Sequence, residues 1–276
     1  MKASLMEPLA AGRQRMDVPR AEAAEDAWKP LLRVGGVAAL LSVAIIALAV
    51  IVFLAWPPPT RVEDWFALFQ RNGFLGLLDL DLLLVTATVV MVPLYLALYV
   101  ALRGISHSFM AIALALNLVG AALIVAVNPG AAMLTLSSHY AAATSDAQRS
   151  MFLGAGQALL ANWSGTAFDV GYLLGAVGAL ITAAVMLRSA IFSKRIAYTG
   201  LAMGALTLVP ASAGTVGLLL SLVSLVPTTL WLILIARRLF QLGSALGTRH
   251  THLTLHAGRG PMDSQTTHMA THHVSV

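Results

Sequence analysis

The sequence predicts an all-α integral membrane bundle of six transmembrane helices, with two interfacial amphipathic helices on the outer face. Three observations carry this. The chain of 276 residues is 58% hydrophobic and 11% charged, against about 25% charged in ordinary soluble domains. Its apolar residues come in runs of about 20, the length that crosses a bilayer as a helix. Lys and Arg collect at the ends of those runs, where they set orientation in a membrane. That placement accounts for the net charge of +5 without nucleic acid. The expected partner is the lipid bilayer, and protein partners stay open. There is no cysteine, which excludes disulfides, thiol nucleophiles and Cys-ligated metal sites.

Residues 1–30 are polar and of mixed charge, which predicts a disordered tail. The first apolar run is too long for the core of a cleaved signal peptide and reads as an uncleaved first span. That span covers Leu32 to Ala55, with Trp28 and Trp56 at its ends, where amphipathic rings prefer the interface. Pro57, Pro58 and Pro59 stop it. Val62, Trp65, Phe66 and Phe69 then recur at helical spacing among charged residues, which predicts an amphipathic helix lying in the interface. Span two covers Leu80 to Leu102 with Pro93 near its middle, and span three Ser108 to Val127. Residues 131–143 read as an irregular loop. Ser145 and Gln148 resemble a capping box that opens a second surface helix, which leads into span four, Thr166 to Leu187. Span five, Ile196 to Val209, is short and holds a Gly200–Gly204 pair. Span six covers Thr215 to Ala236 and is kinked at Pro227. The six-span domain is therefore 31–242, and 243–276 reads as a disordered His-rich tail.

Fourteen of the 17 Lys and Arg residues fall on the two termini and the second and fourth connections. Positive residues stay cytoplasmic, so both termini are expected in the cytoplasm of a multi-pass protein, with the interfacial helices outside.

Candidate sites are few. Asn117 stands near the middle of span three, the strongest polar side chain at that depth. Pro93 and Pro227 share its depth, and each frees a carbonyl four residues back, at Val89 and Val223. Thr86, Thr88, Ser221 and Ser224 stand near enough to help satisfy them, since an unpaired carbonyl in lipid costs several kcal/mol. The expectation is that spans two, three and six meet around Asn117, as a polar midplane site or as packing glue. Asp79, Asp81 and Asp169 form a candidate acidic group at the outer face: Asp169 lies 19 residues before Arg188, roughly 28 Å of helix. Ala167, Gly171, Gly175, Ala179 and Ala183 recur every four residues and predict a smooth seam for a neighbouring helix. The tail histidines, His250 to His273, have no supporting carboxylate or cysteine, and no metal or other cofactor is expected. The motifs HExxH, GxSxG, GxxxxGK and GxGxxG do not occur, so no catalytic residue is assigned.

The stretches LFQRNGFLGLLDLDLL, AATSDAQRSMFLGAGQALLANWSGTAF, VMLRSAIFSKRIAYTG and IARRLFQLG resemble an uncharacterised family of bacterial multi-span membrane proteins called domain of unknown function 4386. The resemblance covers roughly residues 60 to 243 and implies a protein of the bacterial cytoplasmic membrane. It implies no activity and carries no functional residue. The leading expectation is a non-enzymatic polytopic membrane protein whose role stays open. The alternatives are a carrier or sensor of a small or lipidic molecule, and a membrane-embedded enzyme using the outer acids.

Overall fold

Apolar runs with few breakers fold into helices, and every regular element among the described residues is helical. The computed structural model describes residues 28–257, with the side chains of Asp81 and of 245–257 excepted. The tails read at 1–27 and 258–276 lie outside the described residues. Residues 30–240 form one unit, and 1–29 with 241–276 a second; the candidate site lies wholly in the first.

The helices are α1 (Lys29–Ala55), α2 (Val62–Arg71), α3 (Gly73–Leu77), a π turn (Leu78–Leu82), α4 (Leu83–Leu102), α5 (His107–Ala126), α6 (Gly130–Ala142), α7 (Asp146–Trp163), α8 (Thr166–Leu187), α9 (Lys194–Leu206) and α10 (Gly214–Ala257). Among the described residues, five stretches are long and apolar enough to cross a bilayer: α1, α4, α5 running on through α6, α7 running on through α8, and α10 as far as Ser244. The sixth expected span, α9, has 13 residues, roughly 19 Å of helix, and is not of that length. Large apolar side chains stand exposed along α1 and α10, among them Ile51, Leu54, Leu219, Val223 and Val226. Exposed apolar faces of this extent mark contact with a membrane or a partner.

Three local expectations are corrected. Residues 131–143, read as an irregular loop, are largely the helix α6. Alanine is the best helix former, and Thr135 and Ser138 donate to the carbonyls of Ala131 and Leu134, so their hydroxyls do not compete with the helix. Span two does not begin as α-helix at Leu80, because a π turn precedes Leu83. And α10 continues to Ala257, beyond the Gly243 where the last span was expected to have given way to the tail. There Ser244 Oγ donates to the Gln241 carbonyl, closing on its own helix where a break was expected.

Helix α2 buries Val62, Trp65, Phe66 and Phe69, the residues expected to face the membrane interface, and what covers them is protein. Trp65, Phe66, Phe69 and Val62 are buried in a cluster with Leu80 and Met133. Tyr140 of α6 and Phe152, Leu160 and Trp163 of α7 pack around them. At Gly156 of α7, an added Cβ would stand 2.7 Å from Val62 and 2.9 Å from Phe66, so the two helices touch there. Elements α2, α3, α6 and α7 thus make a small apolar cap on the spanning helices. Apolar residues at helical spacing require only that one face be dry; lipid and protein dry it equally well. The start of α7 is as expected: Ser145 Oγ accepts from the Gln148 amide at 3.3 Å, and Gln148 Oε1 from the Thr144 amide at 3.1 Å.

The longest helix–helix contact is between α5 and α8. Both come to a glycine where they cross. A Cβ on Gly120 would lie 2.7 Å from the Gly171 carbonyl oxygen, and one on Gly171 3.0 Å from that of Gly120. Backbones this close require residues without side chains.

Candidate functional site

Asn117 sits at the middle of α5 and is only 6% exposed. Its amide lies flat over Gly178 of α8, where a Cβ would meet the amide nitrogen at 2.5 Å. Its Nδ2 donates to the Ala113 carbonyl at 2.8 Å, which occupies one donor within its own helix. No donor among the described residues reaches its Oδ1. That oxygen is not one of the fully enclosed polar atoms without a partner, and Asn117 lines the adjoining cavity.

The cavity has a volume of about 220 Å³ and Asn117 on its wall. An engineered void of about 150 Å³ holds benzene, so this one has room for more. Five helices contribute. Met91, Tyr95 and Leu98 come from α4, at the spacing that puts them on one face. Gly171, Gly175, Ala179 and Thr182 come from α8; Met203 and Thr207 from α9; Thr228 and Trp231 from α10. No charged residue lines it.

The polar groups of the lining divide into two sets. Most are occupied by backbone of their own helix: Thr182 donates to Gly178 at 2.8 Å, Thr207 to Met203 at 2.9 Å, and Thr228 to Ser224 at 2.7 Å. Tyr172 and Ser221 pair across α8 and α10 at 2.9 Å. Asn117, at Oδ1 and its second Nδ2 hydrogen, and Tyr95, at its hydroxyl, have no partner among the described residues. Trp231 is 2% exposed, and its Nε1 has no partner. A Cβ on Gly200 would stand 2.6 Å from that nitrogen, so it is enclosed against α9.

Residues of α4, α5 and α10 line this cavity beside Asn117, together with α8 and α9. The prolines are placed otherwise. Neither Pro93 nor Pro227 lines the cavity, and the Pro93 carbonyl faces α1, 3.4 Å from where a Cβ on Gly35 would be. The expected hydroxyl partners also go elsewhere. Thr88 donates to Leu84, and Ser224 to Ser221, because the carbonyl three or four residues back is the nearest acceptor for a helical hydroxyl. Val89 and Val223 receive neither.

The small-residue stripe of α8 serves two purposes. Gly171 crosses Gly120, and Ala183 is fully buried against Gly200, where a Cβ would stand 3.0 Å away. Between these contacts Gly175 and Ala179 face the cavity, and a Cβ on Gly175 would meet nothing within 4 Å. The stripe predicts helix contact at Gly175; that residue is instead the opening in the seam.

The outer acids differ from one another. Asp169, in the first turn of α8, accepts a hydrogen bond from Ser212. Asp79 lies in the π turn, and neither of its carboxylate oxygens has a partner. Burial pushes its carboxyl up to about 6. The Asp81 side chain lies outside the described residues. His139 stacks on Phe152 with ring centroids 5.7 Å apart. Among the described residues no group of three or more His, Cys, Asp or Glu lies close enough to hold a metal ion.

The spacing of Met91, Tyr95 and Leu98 on one helical face, and of Gly175, Ala179 and Thr182 on another, was visible in the sequence; that these faces meet at a void was not. Together the helices and cavity define the class: among the described residues, an all-helical protein with five stretches long and apolar enough to cross a membrane and a mostly apolar, partly open cavity between its helices. Comparison with protein-family models, curated proteins and solved structures returns no match. The resemblance to domain of unknown function 4386 rests on the quoted strings alone.

Proposed function

We propose that this is a six-span protein of the bacterial cytoplasmic membrane that binds a small, uncharged, largely apolar molecule between its helices, as a carrier or sensor. The single observation that carries the reading is the cavity: about 220 Å³, walled by five helices and without a charged residue. An apolar pocket with a few placed polar groups is the usual form of a small-molecule site. The absence of charge in the lining argues against metal cations, phosphates and zwitterions as occupants, since an ion left without a countercharge there is strongly disfavoured.

The sixth crossing is α9 with the turn that follows it. Lys194 Nζ donates to the Leu187 carbonyl at one end of α8, and Ser212 to Asp169 at the other. Gly200 lies against Ala183 and Gly204 against Leu180, which is an antiparallel register. Residues 194–212 thus run alongside 169–187 from end to end, roughly 27 Å of helix, a distance close to the thickness of the hydrocarbon layer. With six crossings, the cation asymmetry places both termini in the cytoplasm. A reporter active only in the cytoplasm should work when fused at residue 195 and be silent at residue 140. The reverse pattern would sink the topology.

Binding is tested with 2-bromonaphthalene, an uncharged two-ring probe whose bromine quenches tryptophan emission. Titrated into the protein in lipid nanodiscs, with the Trp231→Phe chain as subtraction, it should give saturable quenching assigned to Trp231. Quenching that rises linearly with probe in the lipid, or none, overturns the reading.

A further inference from the structure

The hydrogen bonds of the cavity wall are unevenly filled. Inside a membrane protein each lining hydroxyl has a nearby carbonyl to satisfy, and here Thr182, Thr207 and Thr228 all use theirs that way. Asn117 uses one amide hydrogen on Ala113. What remains unoccupied on this buried side chain is the acceptor Oδ1, beside the second Nδ2 hydrogen. A neutral amide oxygen in such surroundings forms a stronger hydrogen bond than in water, and is costly to leave without one. Its position is fixed from two sides: the Nδ2 bond to Ala113 sets the plane of the amide, and Gly178 beneath it leaves no room for a turn toward α8.

We propose that the molecule this cavity takes is a compact uncharged alcohol whose hydroxyl donates to Asn117 Oδ1, an assignment that rests on the cavity reading above. The remaining surface asks for an apolar body. Met91, Leu98, Ile124 and Met203 supply flexible and branched aliphatic wall, and Tyr95 and Trp231 supply rings. Methionine adapts to irregular shapes, so the body need not be a single rigid outline. The volume limits it to about two fused rings, judged against the void that holds benzene. An aldehyde, ketone or ether offers Oδ1 no donor and leaves it unpaired, even where it accepts from the Tyr95 hydroxyl. A carboxylic acid would have to enter protonated.

Three probes of one shape separate the possibilities: 6-bromo-2-naphthol, its methyl ether and 2-bromonaphthalene. Each is titrated against Trp231 emission as before, with affinities corrected for partition into lipid. The naphthol should bind roughly fivefold or more tightly than the other two, the worth of one hydrogen bond to a buried neutral group. The ether should bind more weakly than the naphthol, because it leaves Oδ1 unpaired. Replacing Asn117 by leucine keeps the volume and removes the acceptor, so N117L should bind the naphthol and its ether alike. If all three probes saturate with equal affinity in the native chain, the alcohol assignment is overturned while the cavity reading stands. The alcohol assignment is equally overturned if the ether matches the naphthol, because the ligand then accepts and does not donate; this comparison needs no variant and holds even if N117L fails to fold. If none of the three saturates, both readings fall together.

Discussion

Gly120→Leu is expected to lower the unfolding midpoint in detergent by ~10 °C, the shift that about 3 kcal/mol produces in a chain of this size. The physical reason is that the atom in the way is backbone. A Cβ at 120 would come within 2.7 Å of the Gly171 carbonyl oxygen and 3.3 Å of the Gly175 nitrogen. A crowding side chain can rotate away; a helix backbone cannot, so α5 and α8 must separate over their longest contact. Overpacking of this kind costs about 1–3 kcal/mol, occasionally more. Replacing glycine in a helix returns up to about 1 kcal/mol through propensity, which is too little to offset it. A thermal ramp followed by size-exclusion chromatography measures the effect. A G120L chain that melts with the parent would mean that the two helices do not cross at these glycines.

Gly175→Leu, one turn further along α8, should do the opposite: leave the midpoint within a few degrees of the parent and abolish binding. Nothing stands within 4 Å of a Cβ there, and the side chain would grow into the cavity. Filling apolar space with apolar atoms is favourable, and the helix gains by losing a glycine. The occupant, by contrast, loses its place, so probe affinity should fall at least tenfold. Thermal ramps and probe titrations on G120L and G175L form a matched pair, since a glycine of α5 and a glycine of α8 give opposite results for a single geometric reason. Loss of stability in G175L would show that α8 packs tightly along its whole small face.

That contrast also shows what could be read from the residues and what could not. The spanning helices were legible because lipid exposure forces long apolar runs, and their ends because Pro57 to Pro59, Asn128 and the basic pairs punctuate them. Asn117 stood out because a lone amide in an apolar run is costly. The cap was not legible. Val62, Trp65, Phe66 and Phe69 announced a dry face, but whether lipid or α6 and α7 would cover it depended on where distant segments return. The same limit hid the double role of the α8 stripe: small residues permit a neighbour to approach at Gly171 and Ala183, and they equally leave a void at Gly175 when none does. Helix α6 was missed because its serines and threonines read as loop formers, whereas their hydroxyls fold back on their own carbonyls. The short α9 shows the converse. It reads as a short span, yet it has only 13 residues, and what the sequence did not show is its register against α8, from Lys194 at Leu187 to Ser212 at Asp169.

The central claim is that the space beside Asn117 is a ligand site within the bilayer. The most direct test is the Trp231-specific quenching titration with 6-bromo-2-naphthol, run side by side on the native chain and on G175L in nanodiscs of the same lipid. The expected result is a saturable component in the native chain that disappears in G175L while both proteins remain folded. Equal quenching in the two chains, saturable or not, would contradict the claim, because the probe would then be reaching Trp231 by some route other than the cavity.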